Sequence, residues 1–199
     1  MHKLVVASNN AGKIREISHY LASFEVEIIP QSVLGIHETE EPAPTFVENA
    51  LIKARHASLH SGKPALADDS GLCVDVLDGS PGVHSARFAG EIKSDNANNL
   101  KLLSVLAGCT NRKAHYYCVI VYVRHAADPE PVIAEGRWYG EIAIEPRGNK
   151  GFGYDPLFYL PDSDLTAAQL ELDEKNQVSH RSKAMAALIS RLRDEWKGN

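Results

Sequence analysis

Leu4-Val5-Val6-Ala7 runs into Ser8-Asn9-Asn10-Ala11-Gly12-Lys13, after which Ile14, Ile17 and Leu21 recur at helical spacing and a second apolar run follows at 26–29. A short apolar run closed by Asn and Gly reads as a buried strand. Apolar residues at i, i+3 and i+7 read as the inward face of a helix. The opening is strand–turn–helix–strand, the building unit of an α/β fold.

Outward from this unit, residues 30–44 form a loop rich in Pro and Glu. It ends at Thr45-Phe46-Val47-Glu48, where a hydroxyl and a carboxylate three residues apart can satisfy the free amides of a helix start. Val47, Ala50, Leu51, Ala54 and Ala57 supply the apolar stripe. A strand at 65–67 runs into Asp68-Asp69-Ser70-Gly71, with a further apolar stretch at 72–77. Ser94 caps a predicted helix carrying Leu100, Leu103 and Leu106. Residues 115–124 and 132–144, joined through Asp128-Pro129-Glu130-Pro131, read as a long antiparallel hairpin, so the sheet should be mixed. A last helix carries Met185, Leu188, Ile189, Leu192 and Trp196 on one face.

A chain of 199 residues with 44% apolar and 24% charged residues fits one domain, or two lobes sharing a core, without a metal or disulfide framework. The formal charge of −5 argues against general binding to nucleic acid or to an anionic membrane. An anionic ligand then has to be captured by a local basic site. Cys73, Cys109 and Cys118 are odd in number and form no CxxC pair, which suits a reducing compartment. The apolar run near the N-terminus is too short for a signal peptide or a membrane span, so the expected location is the cytoplasm.

Four segments carry chemistry. Ser8, Asn9, Asn10, Ala11, Gly12 and Lys13 lie between a strand and a helix, where backbone amides, the helix N-terminus and a lysine suit a phosphate. Alone, the segment fits an ordinary helix start as well, and Ala7 and Ile14 exclude a Walker A loop. Glu38, Glu40 and Glu41, with Asp68 and Asp69 beyond a strand, offer the oxygen ligands that Mg²⁺ prefers; solvated acidic turns would look the same. In Gly151-Phe152-Gly153-Tyr154-Asp155-Pro156, two aromatic rings could stack on a base, or simply fill a core beside a Gly/Pro turn. Lys175, His180 and Arg181 cluster at the expected start of the last helix, where cations are disfavoured by the helix dipole. His56 and His60 lack the Glu of an HExxH site, since position 57 is Ala57, and no GxSxG surrounds Ser70. Cys73 and Cys118 sit within apolar strands and read as packing.

The order of these segments resembles the inosine triphosphate pyrophosphatase family of nucleotide hydrolases. The likeness runs through residues 8–13, Thr45-Phe46-Val47-Glu48-Asn49-Ala50, Lys53-Ala54-Arg55, Ala67-Asp68-Asp69-Ser70-Gly71-Leu72, Pro81-Gly82-Val83-His84-Ser85-Ala86-Arg87, residues 151–156 and Ser179-His180-Arg181. The first turn of that family usually reads Thr-Gly-Asn; here it is Ser8-Asn9-Asn10, which keeps the hydroxyl.

The resemblance implies an α/β fold with an elongated mixed β-sheet flanked by helices, an active-site cleft between two lobes, and a homodimer. It also implies Mg²⁺ and cleavage of ITP, dITP or XTP between the α- and β-phosphates. By the same resemblance, residues 8–13 would grip the triphosphate and Asp69 would be the general base. Glu40 or Glu41 would join Asp69 at the metal, and Ser70, Phe152, Gly153, Tyr154, Asp155, Lys175, His180 and Arg181 would bind the nucleoside. Donors on Arg181 or Lys175 facing the 6-oxo group of the base would reject adenine, which presents a donor there. Two rival readings are an enzyme for other modified nucleotides and a nucleotide sensor without catalysis.

Overall fold

The computed structural model describes residues 2–196, with side chains to Arg193, so the Trp196 side chain lies outside the described residues. Seven strands form one sheet in the order β2-β1-β3-β4-β5-β6-β7. They are β1 (His2–Val6), β2 (Val26–Pro30), β3 (Ala65–Val74), β4 (Lys113–Val123), β5 (Val132–Ile142), β6 (Phe158–Leu160) and β7 (Leu165–Thr166). The helices are α1 (Ala11–Leu21), α2 (Phe46–Ser61), α3 (Asp95–Val105), α4 (Leu172–Val178) and α5 (His180–Trp196). β1 pairs in parallel with β2 and β3, while β6 is antiparallel to β5 and β7, so the sheet is mixed, as expected. β4 and β5 are neighbours, in keeping with the hairpin reading.

The described chain divides into two compact units, one of residues 2–69, 118–136 and 181–196, the other of 70–117 and 137–180. Each has its own core. In the first, Leu4, Val6, Leu66, Cys118 and Ile120 pack with Ile17 and Leu21 of α1 and with Ala184, Met185 and Leu188 of α5. In the second, Leu72, Val74, Leu102, Leu106, Tyr116, Trp138, Tyr154 and Phe158 pack together.

Local chemistry sets most boundaries. Thr45 caps α2, accepting from Glu48 N, and Ser94 caps α3, accepting from Ala97 N. Three expectations change. The strand does not end at 67: β3 runs unbroken through residues 68–71. Leu106 and the partly buried Leu103 face the core as expected, beside Asn98 and Leu102, whereas Leu100 is 61% exposed. Residues 175–181 straddle two helices: Lys175 belongs to α4, Ser179 ends it, and only His180 and Arg181 open α5. Lys175 thus lies toward the C-terminal end of a helix, where a cation is favoured.

Candidate active site

In the first unit, β2 and β3 flank β1, so the chain leaves β1 toward one neighbour and later returns on the other side. Ligands of open α/β sheets bind at the carboxyl ends of strands at such a reversal. β1 hands its chain to the turn at residues 8–13 at this place. β3 outruns it: the last parallel partners are Val6 and Leu66, and Asp68 and Asp69 lie beyond them.

Side chains alternate along a strand, and the two carboxylates meet different surroundings. Asp68 shares the side of Leu66, which packs on α1 and α5. Its Oδ2 accepts from Arg181 Nε at 3.2 Å and Nη2 at 3.0 Å, and lies 3.2 Å from Lys13 Nζ. Arg181 Nη1 also donates to Glu16 of α1. Burial alone would raise the Asp68 pKa, but Lys13, Arg181 and Lys53 outweigh it and hold the carboxyl far below its usual range. Cys118 Sγ lies 4.0 Å from the same oxygen, and its thiol is pushed up to about 12, mainly by burial.

Asp69 Oδ1 accepts from Lys53 Nζ of α2 at 2.8 Å, and the same ammonium donates to Glu41 Oε2 at 2.7 Å. Burial raises the Asp69 pKa to about 6, the charges of Lys53 and Lys13 only partly countering it and Glu41 adding to it. Burial would also raise that of Glu41, but Lys53 brings it below the ordinary value. Asp69 Oδ2 is buried with no partner among the described residues. Asn49 holds the loop that carries Glu41, donating to Ala43 O and accepting from Ala43 N, each at 3.0 Å. Glu41 is the loop glutamate brought to the Lys53–Asp69 pair, through its contact with the Lys53 ammonium.

The phosphate turn is more occupied than expected. Asn10 Oδ1 accepts from the amides of Gly12 at 2.9 Å and Lys13 at 3.1 Å, and Ser8 Oγ accepts from Asn10 N. An anion at this helix start has to compete with the Asn10 side chain for those donors. Asn9 Oδ1 accepts from Gln31 Nε2, and Ala11 is exposed.

Arg181 departs further from expectation. It is 1% exposed, and its N–H groups are committed to Asp68 and Glu16 rather than offered to a base. The physical reason is that a guanidinium taken out of water has to be paired.

The second unit holds Ser70, Phe152, Gly153, Tyr154, Asp155, Lys175 and His180. Asp155, 2% exposed, gathers three donors: Lys175 Nζ at 2.6 Å and Phe152 N at 3.0 Å on Oδ2, and Tyr116 OH at 3.3 Å on Oδ1. Lys175 Nζ also stands 4.8 Å from the centre of the half-buried Phe152 ring. The His180 ring stacks on Tyr116 at 4.7 Å, and Tyr116 packs against Trp138 and Phe158. Tyr154 presents no free face: it is 3% exposed and donates to Ser85 O at 2.8 Å, while Ser85 Oγ accepts from Leu72 N. Its ring is core, and the segment around Ser85 holds it. Ser70 is half-buried.

Sequence reasoning gave no role to Lys53, Glu16, Tyr116 or Trp138. Two left a trace: Lys53 lies on the same helical face as Ala50 and Ala57, and Glu16 follows Lys13 by one turn. The aromatic pair left none, because Tyr and Trp in strands are ordinary.

Residues 4–191 match the Ham1 family. The chain belongs to the Ham1 family. A relative from Nitrosomonas europaea named dITP/XTP pyrophosphatase is 59% identical over 192 residues, covering 96% of this chain and 95% of its own. One of the same name from Ralstonia nicotianae is 58% identical, covering 97% and 98%. The solved structure of a HAM1 protein from Coxiella burnetii superposes with a TM-score of 0.92 at 46% identity, covering 98% of this chain and all of that one. The Staphylococcus aureus Ham1 protein follows at 0.87 and 42%, covering 97% and 99%.

Whether a metal suits this Ham1 chain turns on Asp69. Among the described residues no group of three or more His, Cys, Asp or Glu is arranged to hold one. Mg²⁺ asks for less, since one or two carboxylates with substrate oxygens and waters suffice. The unpartnered Asp69 Oδ2 and nearby Glu41 are hard oxygen donors of that kind.

Proposed function

We propose that this chain hydrolyses non-canonical purine nucleoside triphosphates (dITP, XTP and ITP) to the monophosphate and pyrophosphate. The observation that carries this is its 59% identity, over nearly its whole length, to a relative named dITP/XTP pyrophosphatase. The residues support the chemistry. Asp69, buried and with one oxygen free of partners, is suited to take the proton of a water attacking the α-phosphorus. Lys53 fixes its other oxygen. Lys13 offsets charge on the phosphates, and residues 8–12 cradle them once Asn10 releases the amides.

Asp69 and Glu41 would hold Mg²⁺. Bound there, it would withdraw charge from the phosphates and acidify the attacking water. The aromatic and charged group of the second unit serves the base, with Phe152 stacking and Lys175 donating to a 6-oxo acceptor. Asp155 keeps Lys175 aimed. His180 and Ser70 complete the nucleoside contacts. Arg181 serves through Asp68 and Glu16 rather than by touching the base.

The protein works as a homodimer in the cytoplasm on this reading, and no described helix is long and apolar enough to cross a membrane. The test is a panel of dITP, XTP, ITP, dATP and GTP with Mg²⁺, scoring pyrophosphate and orthophosphate separately. Pyrophosphate from the first three, well above the last two, is expected. Orthophosphate as the product, or equal rates across the panel, overturns the proposal.

A further inference from the structure

Gly153 is gripped at both backbone groups by one face of α3. Its N–H donates to Asp95 Oδ2 at 2.7 Å, and its carbonyl accepts from Asn99 Nδ2 at 2.9 Å. Asp95 and Asn99 stand four apart, so they share a helix face. On the other flank of Phe152, Gly151 has a φ of 76° and no room for a side chain, because an added Cβ would overlap the Asp155 carboxylate. Phe152 N itself donates to Asp155. The backbone on both sides of the Phe152 ring is therefore fixed by polar contacts.

Packing leaves one side of this stretch open. A cavity of about 410 Å³ adjoins the same stretch, lined by Asp95, Asn99, Lys150 and residues 151–153. The loop could sag into this space if the two hydrogen bonds from α3 were lost. The helix in turn is anchored away from the loop: Asn98 Nδ2 donates to Ala86 O at 3.2 Å and Asn98 Oδ1 accepts from Ala89 N at 2.7 Å. α3 is thus a bracket with one polar side tied to the body of the unit and another to the Phe152 loop.

We infer that Asp95 and Asn99 are positioning residues that set the Phe152 ring against the purine, and so govern base discrimination rather than phosphate chemistry. This rests on the proposed stacking role of Phe152. The clamp acts only through the loop, so it affects substrates in proportion to how much they use the base.

The experiment compares dITP with ribose 5-triphosphate, which has the phosphates and no base, for the wild type, Asn99→Leu, Asp95→Ala and Asp95→Asn. Asn99→Leu and Asp95→Ala should raise KM for dITP about 10-fold with kcat within about threefold, because small misplacements of a binding group weaken its contribution steeply. Their constants for ribose 5-triphosphate should match the wild type. Asp95→Asn keeps an acceptor for Gly153 N–H and should stay near wild type. If Asp95→Ala does not fold, Asn99→Asp replaces it: it sets an acceptor against the Gly153 carbonyl and should reproduce the KM rise. An unmoved KM for dITP, or equal losses on both substrates, overturns the clamp. A wild-type protein releasing no pyrophosphate from dITP overturns the function itself, and the clamp with it.

Discussion

The two sides of β3 bury neighbouring carboxylates to opposite ends. On the side of α1 and α5, Asp68 is sealed by Lys13 and Arg181, with Glu16 sharing the guanidinium, and its charge is fixed. On the side of α2, Asp69 has one ammonium shared with Glu41, an oxygen with no partner, and a pKa near 6. Burial is similar, at 2% and 7% exposure, so burial does not separate them. The number of cations aimed at each oxygen does. Strand alternation lets one chain segment place a structural carboxylate and a reactive one side by side, because each faces a different set of helices.

The largest effect should come from removing the reactive member. Asp69→Asn should lower kcat about 10²–10⁴-fold, the usual contribution of a general base, with circular dichroism unchanged. A loss under tenfold would remove Asp69 from proton transfer. Asp68→Asn should act first on stability, since breaking a buried ion pair and stranding its partners costs about 3–5 kcal/mol. Urea unfolding reads this directly. A midpoint equal to wild type would mean that the Lys13–Asp68–Arg181 group does not hold the unit together.

A smaller effect sharpens the α2 side. Asn49→Leu leaves the Ala43 amide and carbonyl unpaired, at a cost of about 1–3 kcal/mol. Because Ala43 lies two residues beyond Glu41, the Mg²⁺ concentration needed for half-maximal rate should rise as well. Lost stability with an unchanged Mg²⁺ requirement would separate Asn49 from the metal loop.

What the sequence disclosed follows from how far each signal reaches. The caps at Thr45 and Ser94 are local, and the structure has them where the residues predict. The strand–turn–helix opening is equally local and led to the right fold class. The strand reads as ending before Asp68-Asp69, since two adjacent charges inside it are costly unless paired, and the pairing arrives from Lys13, Lys53 and Arg181, remote in sequence. Arg181 reads as an open group for the same reason, since Glu16, which engages it, is not a sequence neighbour; the buried Tyr154 matches the core alternative that its Gly/Pro turn also allows. The Asn10 cap is local and matches the ordinary helix start that the segment also allows; it takes up amides that a phosphate would need.

The finest test of the two carboxylates is the pH dependence of stability in protein stripped of metal with EDTA. Asp69 has a folded pKa raised from 3.8 to about 6, so its stabilising contribution is complete below the unfolded value and is lost as pH rises through 6. Asp68 is shifted the other way: its contribution is present above the unfolded value and is lost only in strong acid. Between pH 5 and 7.5, Asp69→Asn should therefore gain on wild type by roughly 1 kcal/mol, or about 2–4 °C in Tm for a chain of this size. The gap between Asp68→Asn and wild type should stay constant over the same window. If both gaps move together, the two carboxylates titrate as one group, and the asymmetry across β3 is not what distinguishes them.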